Sequence, residues 1–244
     1  MLKLPFPAPT APHDLLAITR QCFSDAFDRL RAGERLFRIP DRFTPIRPRE
    51  PLHFHLWPEP FLQVSGVSDV EMPWGQMHVK AGEIFIAPRS LAHVESCRRQ
   101  RGFDFANIVM ARREAACVRF HFACGASGGR PHAQGGMDVE SAQVSSLFRY
   151  WDDAITAAWS DSPRRHDITG ACGVAAIGVF LDILDGATPP ISSAPPKVVR
   201  CKDLVLSHLS EPGLSVQQLA EWLTCAPDYL SHLFRQETGE TLTG

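Results

Sequence analysis

The stretch that most narrows what this chain can fold into is residues 214–239, LSVQQLAEWLTCAPDYLSHLFRQETG. Read as helix, turn and helix, it gives nearly every apolar residue an inward place. Ser215 can cap the first helix, and Gln218 three residues on completes an S-x-x-Q capping box, with Leu214 and Leu219 placed as a hydrophobic staple. Leu219, Ala220 and Leu223 share one face, and the small Ala220 admits a crossing helix. After a break at Thr224–Ala226, Pro227 suits a first helical position, where its missing N–H would go unbonded anyway. The second helix buries Leu230, Leu233 and Phe234, and Gly239 supplies the left-handed residue that ends it. Asp228, Ser231, His232, Arg235 and Gln236 remain as an outward polar strip. Short polar and basic side chains on a second helix are what reading of the major groove requires. The plainer alternative is a helical hairpin in a larger bundle, its polar strip merely solvated.

In detail the segment resembles the first helix-turn-helix of the AraC-type transcription regulators: L-S-x-x-x-L-A at residues 214–220, Y-L-S-x-L-F at 229–234 and E-T-G at 237–239. The likeness extends back to about Val198 through a lead-in helix carrying Cys201, Leu204, Val205 and Leu209. It implies a regulator rather than an enzyme, with no catalytic residues. Its expected partners are DNA, a small-molecule effector and a second copy of itself. By position in the motif, Asp228, Ser231 and His232 would face base edges, and Arg235 and Gln236 would lie near phosphate.

From Glu34 to Cys124 the texture is short β-branched and aromatic runs punctuated by Pro and Gly. Candidate strands are Arg35–Ile39, Leu52–Trp57, Phe61–Val64, Gln76–Val79, Glu83–Ile86, Ala92–Ser96, Phe103–Met110 and Cys117–Phe122. Such close spacing points to a β-sandwich or barrel. Within it His53, His55, Glu59 and Gly66 give H-x-H-x3-E-x6-G, and Gly82, Pro88 and His93 give G-x5-P-x4-H. Both spacings resemble the two motifs of the cupin fold, the common fold of AraC-type sensing domains. Two departures stand out: Ser90 holds a place that is normally glycine, and Cys97 replaces an asparagine.

In metal-binding cupins three histidines and a carboxylate at these places converge on one divalent ion, a chemically sensible set for zinc, iron, manganese or nickel. His53, His55, Glu59 and His93 supply all four. A metal-free effector pocket and plain structural use remain open beside that reading. Trp57 and Trp74, close in sequence, could give an effector pocket of His53, His55, Glu59 and His93 an apolar wall or a sugar-stacking face, or could simply be core. Arg89 is either a solvated arginine or one that reaches an anionic ligand.

The remaining chain supplies connections and helices. Residues 13–32 form an amphipathic helix, with Leu15, Ile18, Cys22, Phe23, Phe27 and Leu30 on one side. The run Gly125–Gly136 reads as a flexible connection without packing content. Residues 138–160 and 167–185 read as two helices, the second apolar nearly all round, with Gly173 and Gly178 where a partner helix could come near. The family resemblance makes this pair the expected dimer interface. ATPPISSAPP at 187–196 is a stiff linker.

The expected fold class is therefore α+β. A helix at 1–33 precedes a cupin-like β-barrel or sandwich at 34–124, a helical dimerisation element at 137–186, the linker, and a partial helix-turn-helix domain at 197–244. Seven cysteines without a C-x-x-C pair point to reduced thiols rather than a disulfide framework or zinc ribbon. The N-terminal residues are too weakly apolar for a signal peptide, and no segment reads as membrane-spanning, so the expected location is the cytoplasm. The net charge of −2 gives no general pull toward nucleic acid. From Lys197 onward the basic residues are Lys197, Arg200, Lys202 and Arg235, fewer than the acidic ones. Phosphate neutralisation dominates sequence-independent affinity for DNA, so binding by this segment should be weak. AraC-type domains carry two helix-turn-helix units and only one is present, which points to a shortened form of a longer regulator. A metal-dependent cupin enzyme and a DNA-silent dimerisation partner are the alternative readings.

Overall fold

Alternation of side chains along the strands decides how this chain layers. The computed structural model describes residues 12–41, 53–98, 105–125, 131–187, 196–207 and 213–242. Helix α1 (Pro12–Arg31) leads into strand β1 (Phe37–Arg38). The strands that follow are β2 (Glu59–Ser65), β3 (Val67–Met72), β4 (Gly75–Lys80), β5 (Ile84–Ala87), β6 (Val94–Cys97), β7 (Phe105–Glu114), β8 (Cys117–Gly125) and β9 (His132–Glu140). Helices α2 (Val144–Ala158), α3 (Arg165–Gly186), α4 (Pro196–Ser207), α5 (Val216–Trp222) and α6 (Pro227–Thr238) complete the order. The architecture is mixed α+β.

One sheet has six strands in the order β1-β5-β2-β7-β8-β9, and the other has three, β4-β3-β6. Among the described residues only β1 against β5 is parallel, and the other strand pairings are antiparallel. The chain crosses between sheets at Gly66, whose φ of 69° joins the end of β2 to the start of β3. That left-handed value is what glycine adopts without penalty. Leu62, Ile84, Ile86, Ile108 and Phe120 point from the large sheet to the helices. Phe61, Phe85 and Val109, one residue out of phase, meet Val70 and Val79 of the small sheet. Phe180 of α3 joins helices to sheet, its ring 4.9 Å from Phe23 of α1 and 5.8 Å from Phe120 of β8.

Several expectations need correcting. The run from 125 to 136 is no idle connection where it is described: residues 132–136 belong to β9, which pairs with β8, Ala133 and Met137 are buried, and residues 126–130 lie outside the described residues. Gly136 leaves space for the Arg119 guanidinium, which would stand 2.5 Å from an added Cβ and would have to shift. Residues 138–140 belong to β9, so the first helix starts at Val144 rather than at 138. Strand β3 went unpredicted because the polar pair Ser68-Asp69 interrupts its apolar residues, Ser68 being buried all the same. Of the candidate strand Leu52–Trp57 only an isolated bridge forms, between His53 and His93. Leu52, Phe103, Asp104 and most of the linker lie outside the described residues.

Helix α3 packs against α1 and α2. By length and composition it is long and apolar enough to cross a membrane, contrary to the expectation that no segment qualifies, and it is the only such helix among the described residues. Gly178 does admit a helix, since an added Cβ would touch Phe27 of α1 at 3.4 Å. Gly173 instead admits Phe37 of β1, whose ring would lie 2.0 Å from an added Cβ.

Helices α4, α5 and α6 enclose a separate core of Val198, Cys201, Leu204, Leu219, Ala220 and Leu230, with Leu223 and Phe234 at its margin. Ser215 caps α5, accepting from the Gln218 N–H at 3.2 Å. Pro227 opens α6 and Gly239, at φ 76°, closes it. Lys197 donates to the Leu223 carbonyl at 2.8 Å, satisfying the end of α5. Thr224 occupies the left-handed region at φ 50° in the turn between α5 and α6.

Candidate metal centre and exposed polar strip

Backbone pairing assembles the histidines. The His53 N–H donates to the His93 carbonyl at 3.0 Å and the reverse bond is 2.9 Å, locking the two segments side by side. The Ser90 N–H donates to the His55 carbonyl at 2.8 Å. Ser90 has a φ of 62°, so the position where the cupin motif has glycine does carry the backbone conformation that favours it. Glu59 heads β2 opposite Ala87. One ligand atom from each of His53, His55, Glu59 and His93 lies within 4.8 Å of the others.

The side chains are poised as donors to a cation. His93 is fully buried; its Nδ1 lies 2.9 Å from the Leu91 carbonyl, an acceptor, so Nδ1 carries the proton and Nε2 presents a lone pair. That Nε2 has no hydrogen-bond partner. An imidazole fixed by a backbone carbonyl with its other nitrogen bare is the usual state of a metal ligand. His55 Nε2 stands 2.8 Å from Glu59 Oε2, an ion pair off the line that a directed hydrogen bond needs. Burial alone would raise the Glu59 carboxyl, but His55, His93 and His53 outweigh it and hold it well below the usual carboxylate range. Burial opposes a proton on His55, yet the Glu59 charge raises it above the ordinary imidazole value. His93 is lowered, chiefly by burial. The donor set fits a divalent ion: three imidazoles and an ionised carboxylate, partly screened from water.

Two further groups belong to this place and were missed in the sequence. Glu95 lies on β6, and burial with the nearby Glu59 charge pushes its carboxyl up. His121 on β8 is lowered to about 4, first by burial and then by Arg119. Their signal was position: each stands in step with inward-facing neighbours of a strand. For β8 that step is visible only once strand pairing is known.

Trp57 and Trp74 have different neighbours. Trp57 is 38% exposed and stacks beneath Arg112, 4.2 Å from the ring centre. Trp74 packs against the core between the sheets. Arg89 is exposed, as the solvated reading expects, and it pairs with Asp152 on α2 rather than standing free for an anion.

The polar strip of α6 is outward-facing. Asp228, His232, Arg235 and Gln236 are exposed and Ser231 is half-buried, while Leu230 and Phe234 on the opposite face are buried. Tyr229, 51% exposed, extends the strip and was not foreseen. Of the basic residues counted for phosphate contact, Lys197 is engaged on the Leu223 carbonyl. All seven cysteines are free thiols. Compared with models of known protein families and with curated proteins, the chain gives no match.

Proposed function

We propose that this chain is a ligand-responsive DNA-binding transcription regulator of the AraC type, with a cupin-like sensing half and one helix-turn-helix unit. The observation that carries the reading is α6: a helix with a stop at each end whose apolar face closes a core separate from the sheets, leaving its polar face to solvent. A recognition helix needs both properties, because reading bases demands a rigid element whose reading face is not already spent on packing. Asp228, Ser231 and His232 would meet base edges, and Arg235 and Gln236 phosphate. Few basic side chains are free to neutralise phosphate, so affinity is weak and strongly salt-dependent. The small-molecule effector would occupy the sensing half beside His53, His55, Glu59 and His93. The outward, half-apolar edge of α3 formed by Ile168, Ala171, Cys172 and Ala175 supports a homodimer through this helix. A regulator of this kind works in the cytoplasm.

Fluorescence anisotropy with duplex DNA from the region upstream of the gene, at low salt, tests the reading. Binding that falls steeply with added salt and is lost on replacing His232 and Arg235 supports it; no binding at any salt refutes it.

A second reading, a metal-dependent enzyme of cupin type, is favoured by the convergence of the four donors within 4.8 Å. His53, His55, Glu59 and His93 would hold the ion, which supplies Lewis acidity when bound. Metal analysis of protein purified without chelator, followed by a screen for metal-dependent turnover, separates an enzyme from a metal-bearing sensor.

A further inference from the structure

We propose that Glu95 is a fifth donor to the cation site, making its set three imidazoles and two carboxylates. The inference rests on reading His53, His55, Glu59 and His93 as that site. Glu95 pairs across the small sheet with Val70, which is fully buried between the sheets. It stands two residues beyond His93, on the same inward face. Its Oε1 is shut off from solvent and has no hydrogen-bond partner. It lies 3.8 Å from His93 Nε2, and Glu59 Oε2 lies 3.9 Å from the same nitrogen.

These atoms cannot satisfy one another. His93 carries its proton on Nδ1, so Nε2 offers only a lone pair toward the two carboxyl groups. Separations of 3.8 and 3.9 Å are also too long for hydrogen bonds. Three buried polar atoms thus face one point without hydrogen bonds to one another, a gap that a cation between them would fill, while His55 stands against Glu59 alone. Two atoms bound to one ion at about 2.1 Å each stand roughly 3–4 Å apart, which is the spacing seen here. Glu95 sits just outside the group of four, and a glutamate's last torsion is soft enough to swing the oxygen inward.

Five donors with two carboxylates exceed what tetrahedral zinc takes. They suit an ion that accepts five or six ligands with oxygen among them, such as manganese(II) or iron(II).

The test is calorimetric titration of the metal-stripped full chain with manganese(II) and with zinc(II), in wild type, Glu95→Gln and His93→Ala. The expected result is a ten- to hundredfold loss of manganese affinity in Glu95→Gln with zinc affinity unchanged. Equal losses for both metals would mean Glu95 acts through packing and would overturn the proposal. Unchanged manganese affinity in Glu95→Gln, with binding abolished by His93→Ala, overturns the role of Glu95 alone. A wild type that binds neither metal overturns the cation site itself and the proposal with it. Should Glu95→Gln fail to fold by circular dichroism, Glu95→Asp retains the charge, withdraws the oxygen by one methylene, and must show the same selective loss.

Discussion

Replacing Gly173 and Gly178 separately by alanine gives a matched test of how the helices sit on the large sheet. Both lie inside α3, so both substitutions gain about 1 kcal/mol of helix propensity. Their surroundings differ. At position 178 the new Cβ would meet Phe27 Cε2 at 3.4 Å, an ordinary contact, so the gain survives and the protein is stabilised by about 1 kcal/mol. At position 173 it would stand 2.0 Å from Phe37 Cζ and 2.2 Å from Cε2. The Phe37 ring cannot simply recede, because it lies edge-on at 6.1 Å from Trp151, which is fully buried. Overpacking of this kind costs about 1–3 kcal/mol, so Gly173→Ala should fall below Gly178→Ala by that amount. Urea unfolding followed by tryptophan fluorescence, with Trp151 beside the perturbed ring, measures the difference. Equal stabilities would refute the placement of Phe37 under α3, and with it the seat of β1 on the edge of the sheet.

Ser215→Ala removes the cap bond to the Gln218 N–H and should lower the thermal stability of the α4–α6 unit by about 1 kcal/mol, whereas Ala226→Ser supplies the cap α6 lacks and should raise it by a similar amount. His121 has a proton affinity lowered from 6.5 to about 4, so the unfolded chain takes up a proton first. Stability should be complete above pH 6.5, fall as pH drops from there toward 4, and lose at most about 3 kcal/mol. Urea midpoints at pH 7, 5.5 and 4.5 for wild type and His121→Asn check this, and identical pH dependence in the two would refute it. Arg235→Ala should weaken binding to every DNA sequence alike and reduce the salt slope by about 1, whereas His232→Ala should change discrimination between sequences by about 1–3 kcal/mol, both read by anisotropy.

Much of the candidate metal centre was legible in the chain because its residues fall in two short motifs. His53, His55 and Glu59 lie within seven positions, and His93 follows Pro88 at a fixed interval. Glu95 and His121 were not legible. An isolated acid or histidine in a strand carries no mark of which face it occupies until its partners are known. Trp57 and Trp74 lie close in sequence, yet Trp57 stacks with Arg89 and Arg112 from distant parts of the chain while Trp74 packs between the sheets.

The sequence by itself determined the local elements whose cause is local. The stop at each end of α6, the Ser215 cap and the 3.6-residue spacing of Leu230 and Phe234 are settled within a dozen residues, where propensity and capping act. Tertiary structure decided the rest. Strand β9 exists because β8 offers it a ladder of partners, and Gly136 leaves room for the Arg119 side chain. Strand pairing is a bargain between distant segments, so a glycine-rich run reads as a connection until the neighbour that needs its missing side chains is in place.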